Sequence, residues 1–223
     1  MVTIDNRAFL RRVPMFHSLS ESQIDTLAAG SVRRSYPRGR TIVSEGEPSP
    51  SMFILLSGRA KVQRSDAEGR EVILAVISAG EVFGEMSLID DEPRSASVIT
   101  LESCDFLSLR KDSFLAVLRQ SNDICLGLMR SLVQRLRAAD RKIETLALLD
   151  VYGRVARVLL DSSEVVNGDR VVRNRLTRQQ IAKMIGASRE MVSRVMKGLE
   201  TEGYVVALPE GGFLLRERIS AYV

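Results

Sequence analysis

Cysteine and histidine are nearly absent. The 223 residues include two cysteines, Cys104 and Cys125, and a single histidine, His17. The cysteines form no CxxC pair and no Cys/His cluster, so neither a metal site nor a disulfide framework is supported. Two reduced, inert thiols are expected. Long apolar runs are lacking too: none approaches the ~20 residues that a membrane-spanning helix requires. The stretch Met1–Pro14 carries Arg7, Arg11 and Arg12 but no apolar core of the kind a secretory leader has. The expected location is therefore the cytoplasm, with no membrane partner. No nucleophile–base pair is suggested by spacing, which together with the missing metal ligands argues against an enzyme.

What is present is the composition of an ordinary globular protein, 45% hydrophobic and 27% charged. The length allows one large domain or two modest ones. The net charge is +4, and its placement is uneven. Residues 151–223 hold 12 Lys/Arg against 8 Asp/Glu, while residues 1–150 hold 20 of each. The excess sits in the C-terminal third, as a phosphate-facing module requires.

Along the chain the texture changes twice. Asp5–Leu27 reads as helical and mostly peripheral, with Leu19-Ser20-Glu21-Ser22-Gln23 resembling a helix start. From Val32 to Leu109 there follow short β-prone runs: Thr41–Val43, Met52–Leu56, Ala60–Gln63, Val72–Ile77, Ala96–Thr100 and Phe106–Leu109. Gly39, Gly46, Gly58, Gly69, Gly80 and Gly84 separate them. Short strands at this spacing suggest an antiparallel roll or barrel that closes on itself and hides its edges. Apolar alternation in Ala60-Lys61-Val62-Gln63 predicts one wet face and one core face.

Helix returns after Lys111. From Asp123 to about Asp150 there is no proline and one glycine, Gly127. Met129, Leu132, Leu136, Ala139, Ile143 and Leu146 are spaced 3, 4, 3, 4, 3, a heptad seam flanked by charges. Two readings are open: a helix packed on its own domain, or a parallel dimer seam. The second would set two C-terminal modules side by side, as palindromic DNA sites need.

The final module begins near Val151. A helix-prone stretch, Arg154–Leu160, precedes a loop around Asn167-Gly168-Asp169. In the next stretch Ile181, Ala182 and Ile185 form an inward face, Gly186 suits a tight turn, and Ser188 is placed to cap the following helix. Val192, Val195 and Met196 return to the core. Gly203–Leu215 reads as a β-hairpin wing. This is a helix-turn-helix pattern, and its second helix turns Arg189, Glu190, Ser193, Arg194 and Lys197 outward. Arg189 suits guanine O6/N7, Glu190 suits cytosine N4, and Arg194 reaches a base edge or a phosphate. Thr177 and Ser188, at helix starts, suit phosphate oxygens; Arg178 and Ser193 complete the expected DNA-facing set. The competing reading is a solvated charged face with i,i+4 pairs.

A second informative stretch is Gly80-Glu81-Val82-Phe83-Gly84-Glu85-Met86-Ser87-Leu88, followed by Arg94-Ser95-Ala96. Gly84 lets the backbone approach a ligand and leaves N–H groups for an anion. Glu85 suits a ribose hydroxyl; Arg94 and the Ser95 hydroxyl suit a phosphate. A loop salt bridge between Glu85 and Arg94, with no ligand, is equally open.

Taken together, these stretches resemble the catabolite-activator/fumarate-nitrate-regulator (Crp/Fnr) family of bacterial regulators over nearly the whole chain. The resemblance is carried by Phe83-Gly84-Glu85-Met86 with Arg94-Ser95-Ala96, by Leu146–Asp150 at the hinge, and by Ser188–Arg194. It implies an α+β chain with an N-terminal antiparallel β-roll of the cyclic-nucleotide-binding type (residues 1–120), a long dimerisation helix and hinge (121–150) and a C-terminal winged helix-turn-helix (151–223). It implies a homodimer that binds palindromic double-stranded DNA with half-sites like TGTGA, and RNA polymerase as a further partner. Gly84, Glu85, Met86, Arg94, Ser95 and Ala96 would hold the ribose-phosphate of a cyclic nucleotide effector; no covalently bound cofactor is expected.

The sequence departs from the cyclic-AMP-binding members at one place. Their dimer helix offers a Thr-Ser pair to adenine, whereas the corresponding positions here are Ala139 and Asp140. A carboxylate presents acceptors that suit the N1–H and N2–H donors of guanine. Cyclic GMP or cyclic di-GMP is therefore expected ahead of cyclic AMP, with Arg135 available to a second phosphate. The plainer role for Asp140 is a surface carboxylate paired with Arg137 or Arg141. A regulator of this family acting without a nucleotide is the alternative. The iron–sulfur and haem sensors of the family need cysteine clusters or axial ligands that this chain does not offer.

Overall fold

All six β-prone runs become strands, and two further strands, Ser31–Tyr36 and Val82–Phe83, complete the roll. The computed structural model describes residues 6–48, 50–173, 176–209 and 211–223. In chain order the elements begin α1 (Asn6–Leu10), α2 (Glu21–Ala29), β1 (Ser31–Tyr36), β2 (Thr41–Val43), β3 (Ser51–Ser57), β4 (Arg59–Ser65), β5 (Glu71–Ser78) and β6 (Val82–Phe83). They continue α3 (Met86–Ile89), β7 (Ser97–Thr100), β8 (Cys104–Arg110), α4 (Lys111–Gln120), α5 (Asn122–Leu148) and α6 (Val151–Asp161). The last are β9 (Glu164–Val166), β10 (Asp169–Val172), α7 (Arg178–Ile185), α8 (Arg189–Thr201), β11 (Val205–Ala207) and β12 (Phe213–Leu215). The chain divides into two units, Met1–Gly69 with Leu74–Arg135, and Arg70–Ile73 with Leu136–Val223.

The first unit is built on two antiparallel sheets, ordered β1-β8-β3-β6 and β2-β7-β4-β5. Between them lie Leu55, Phe83 and Phe106 from one sheet and Val43, Ala60, Ile77 and Val98 from the other. Because successive strand residues point to opposite faces, the neighbours Ile54 and Leu107 emerge on the outer face of the first sheet. There they pack with Leu10, Phe16, Ile24, Leu27, Phe114, Val117, Ile124 and Leu128 of the surrounding helices. Cys104 is buried in the roll, and burial pushes its thiol pKa up, in keeping with an inert group.

Two expectations are corrected here. The N-terminal segment is helical but not peripheral: α1, a 3-10 turn at Pro14–Phe16 and α2 follow one another, and Leu10, Phe16, Ile24 and Leu27 are fully buried. Asp5 lies outside the described residues. The helix start was legible: the Ser20 hydroxyl accepts from the Gln23 N–H while the Gln23 side chain accepts from the Ser20 N–H, a reciprocal cap. The alternation in Ala60–Gln63 fails at its end, since Gln63 is buried alongside Ala60 and Val62 only partly so.

In the second unit the far half of α5 leads to a break at Leu149 and Asp150. Asp150 caps α6 by accepting from the Gly153 N–H at 2.9 Å. Arg154 reaches back to the end of α5, donating to the carbonyls of Leu149 at 3.0 Å and Leu146 at 2.8 Å. Carbonyls in a last helical turn lack intrahelical donors, and a cation there suits the helix dipole. Beyond that break, α6, α7 and α8 enclose Val155, Leu159, Ile181, Ile185, Val192, Val195, Met196 and Leu199. A four-stranded sheet, β11-β12-β10-β9, covers them. The expected loop at Asn167-Gly168-Asp169 is instead the two-residue turn of a β9–β10 hairpin in which Val166 pairs with Asp169.

Along α5 the seam residues Met129, Leu136, Ile143 and Leu146 remain exposed, Leu136 by 62% and Ile143 by 64%. Leu132 packs against the core of the first unit. No helix among the described residues is long and apolar enough to cross a membrane.

Candidate effector site and nucleic-acid interface

In the first unit, β6 and α3 deliver the effector stretch. Phe83 fixes its start by stacking on Phe53 (centroids 5.2 Å) and meeting Phe106 edge-on at 5.7 Å. The next residue, Gly84, has φ +81°, a conformation that side chains rarely adopt. A Cβ there would also collide with the Arg94 guanidinium. Arg94 is buried. Its Nη1 donates to the Gly84 carbonyl at 2.6 Å and its Nη2 to the Ser51 carbonyl. Its backbone is clamped to the loop before β3, with its N–H on the Glu47 carbonyl at 3.0 Å and its carbonyl accepting from Gly46 at 2.8 Å. Burial lowers the Arg94 pKa, and the nearby Glu85 charge opposes that fall.

The Glu85–Arg94 salt bridge of the ligand-free reading does not form. Glu85, 1% exposed, pairs with Arg135 of α5: Nη1 donates to Oε1 at 2.6 Å, and Arg135 Nη2 donates to the Val82 carbonyl. The second carboxylate oxygen, Oε2, is buried with no hydrogen-bond partner among the described residues. A buried ionised oxygen left unpaired is costly, and a ligand hydroxyl would relieve it. Met86 and Ser95 are exposed at the same place and Ala96 is buried just before β7. Gly84, Glu85, Arg94 and Arg135 are thus brought together. Asp140, five residues after Arg135, is exposed and forms no ion pair with Arg137 or Arg141. Sequence reasoning missed Ser51, whose contribution is a backbone carbonyl and leaves no trace in side-chain type.

In the second unit, the Thr177 side chain accepts from the Gln180 N–H at 3.1 Å, and the Thr177 N–H donates to Gln180 Oε1 at 2.9 Å, capping α7. Gly186 closes that helix in the left-handed region at φ +66°, and the Ser188 hydroxyl caps α8 by accepting from Met191 at 3.1 Å. The Ser193 hydroxyl donates back to the Arg189 carbonyl at 2.8 Å. With one face of α8 in the core, Arg189, Glu190, Arg194 and Lys197 stand exposed. None is ion-paired among the described residues, so the face is solvated without the i,i+4 pairs of the competing reading. Arg178 differs: it is engaged by Glu200 and by the Phe213 ring.

Comparison with known proteins agrees with both halves. Residues 33–121 match the cyclic nucleotide-binding domain, and residues 153–218 match the Crp-like helix-turn-helix domain. The cyclic AMP receptor protein of Thermus thermophilus is 34% identical over 92% of this chain and 93% of its own. The chain belongs to the Crp/Fnr family of transcription regulators. Another Crp/Fnr relative, the cAMP-activated global transcriptional regulator Vfr of Pseudomonas aeruginosa, is 34% identical over 86% of this chain and 94% of its own. Among solved Crp/Fnr structures, the c-di-GMP responsive regulator CLP of Xanthomonas campestris superposes with a TM-score of 0.76. It is 27% identical and covers 88% of this chain and 100% of that one. The expected fold class, a cyclic-nucleotide-type roll, a long helix and a winged helix-turn-helix, is that of this family.

Proposed function

We propose that this Crp/Fnr regulator is a homodimer whose DNA affinity is set by a cyclic nucleotide held at Gly84, Glu85, Arg94 and Ser95. Met86 and Ala96 flank that site. The observation that carries the reading is the Glu85 carboxylate: one oxygen is bound by Arg135 of α5, and the other is buried without a partner. A ribose hydroxyl donating to Oε2 satisfies it, and Arg94 and the Ser95 hydroxyl supply donors for the phosphate. Because Arg135 belongs to α5, a ligand that changes the Glu85–Arg135 contact acts on the helix that leads to the hinge at Asp150. Binding shifts the DNA-competent population only to the extent that the ligand favours it.

The exposed seam of α5 supports pairing of two copies through residues 121–150. Arg189, Glu190 and Arg194 read half-sites like TGTGA in the major groove; Thr177, Ser188 and Ser193 lie at the phosphate-facing edge. RNA polymerase is the further partner. For the base, a guanine-type nucleotide is favoured by Asp140, an exposed carboxylate with two acceptors. Cyclic AMP is the second reading, favoured by the two relatives named for it. Calorimetric titration of the full chain with cyclic AMP, cyclic GMP and cyclic di-GMP decides between them. Heat from one of the guanine nucleotides, lost in Asp140→Ala, supports the guanine reading; heat from cyclic AMP alone rejects it. No heat from any nucleotide leaves a DNA-binding regulator without this effector.

A further inference from the structure

Two helix ends in the second unit carry charges of the wrong sign. Arg178 is the first residue of α7, where the helix dipole disfavours a cation, and Glu200 lies in the last turn of α8, where it disfavours an anion. They compensate each other: Arg178 Nη2 donates to Glu200 Oε1 at 2.8 Å, with both side chains about two thirds covered (30% and 35% exposed). The guanidinium also lies over the Phe213 ring, 5.5 Å from its centroid. Phe213 opens β12, where it pairs with Ala207 of β11 and Val172 of β10. One side chain therefore joins the first helix of the helix-turn-helix, the far end of the recognition helix and the wing.

We infer that Arg178 is a positioning residue that fixes the wing against the recognition helix, in place of the phosphate contact its sequence position suggests. The inference rests on the DNA-binding function proposed above. A duplex met by a helix and a hairpin at once is bound most tightly when the two are already held in register, because no ordering remains to be done on contact. An arginine is required. Its plane stacks on the ring while its edge donates to the carboxylate, and an ammonium does not do both. An ion pair this exposed contributes little alone; its value lies in where it holds the hairpin.

Arg178→Lys separates the two roles, since lysine still serves a phosphate as a point charge but loses the stack and the fork. Full-length protein is titrated by fluorescence anisotropy with a duplex bearing two TGTGA half-sites and with a scrambled duplex, over a range of salt. Arg178→Lys and Phe213→Leu are each expected to lower affinity for the half-site duplex about tenfold. Binding to the scrambled duplex and the slope of log Kd against log salt should stay as in the parent. Near-parental binding by Arg178→Lys, with the slope reduced by about one in Arg178→Gln, marks a phosphate contact and overturns the inference. A second measurement needs no DNA. Amide hydrogen exchange in Val205–Ala207 and Phe213–Leu215 should quicken in both variants while Ile181 and Val195 keep their protection; unchanged exchange in the wing overturns the inference. A parent protein that does not distinguish the two duplexes refutes the DNA-reading proposal, and the exchange result alone then decides this one.

Discussion

Arg135 of α5 donates to the buried Oε1 of Glu85 at 2.6 Å, across fifty residues of sequence. With the bond from its Nη2 to the Val82 carbonyl, it ties the effector stretch to the long helix through one guanidinium. Replacing Arg135 by leucine leaves the buried Glu85 carboxylate without its ion-pair partner, and should destabilise the nucleotide-free protein by about 1–3 kcal/mol. The check is a double-mutant cycle in thermal unfolding: in a Glu85→Gln background the same replacement should lose much of its effect. Additive effects of the two substitutions would mean that the contact carries no coupling.

Arg94→Ala should abolish the heat of nucleotide binding while leaving the far-ultraviolet circular dichroism of the roll in place. Gly84→Ala should do the same with a larger loss of stability, because a side chain at that φ is strained and also strikes the guanidinium. An unchanged titration with Arg94→Ala removes the effector assignment.

Arg189→Ala should weaken specific DNA binding by ~1–3 kcal/mol and relax selectivity at one base pair. Competition among duplexes varied one position at a time measures it. A uniform loss across all sequences would move Arg189 from base reading to phosphate contact.

Leu136→Lys combined with Ile143→Lys places like charges on the exposed stripe of α5. Sedimentation should show the parent as a dimer and this variant as a monomer that has lost its preference for palindromic duplexes. A dimeric variant would place the interface elsewhere.

On β8, the Ser35 hydroxyl and the Arg33 guanidinium hold the Asp105 carboxyl below the usual carboxylate range, the arginine at 2.8 Å. A carboxylate depressed in the folded state stabilises it fully above the unfolded value, about 3.9. That contribution is lost as pH falls through the lower folded value. Asp105→Asn should therefore cost about 1 kcal/mol near neutrality and flatten the acid limb of the melting temperature against pH. An acid limb identical to the parent's would show that Asp105 contributes nothing there.

Local chemistry was legible in the sequence, and long-range acceptors were not. Ser20, Thr177 and Ser188 announce their helices because a cap is decided within three residues, and the inward faces of α7 and α8 follow from helical period alone. The Asn167-Gly168 hairpin is equally legible: a two-residue Asn-Gly link between short apolar runs is a strong turn signal, and Asn167 takes φ +52°. β1 escaped because Arg33 and Arg34 interrupt its apolar pattern, although Arg33 is drawn in by Asp105. The sequence suggests Arg94, nine residues away, as the cation for Glu85, whereas the partner is Arg135, fifty residues away. Nothing in residue type distinguishes them; the choice falls to Arg135 because the carbonyls of Gly84 and Ser51 engage Arg94. For Arg178, position at a helix start suggests a DNA-facing role, and its partners Glu200 and Phe213 lie too far along the chain for residue type to reveal them.

If the exposed stripe on α5 pairs two copies, as proposed, abundance becomes a second input to this regulator. If two copies must join before either reads DNA, joining follows mass action, and the folded, competent form is favoured as the protein accumulates. Halving the number of molecules in a cell then blunts the response more than proportionally, even at saturating effector, so the level at which the protein is made becomes part of its signal.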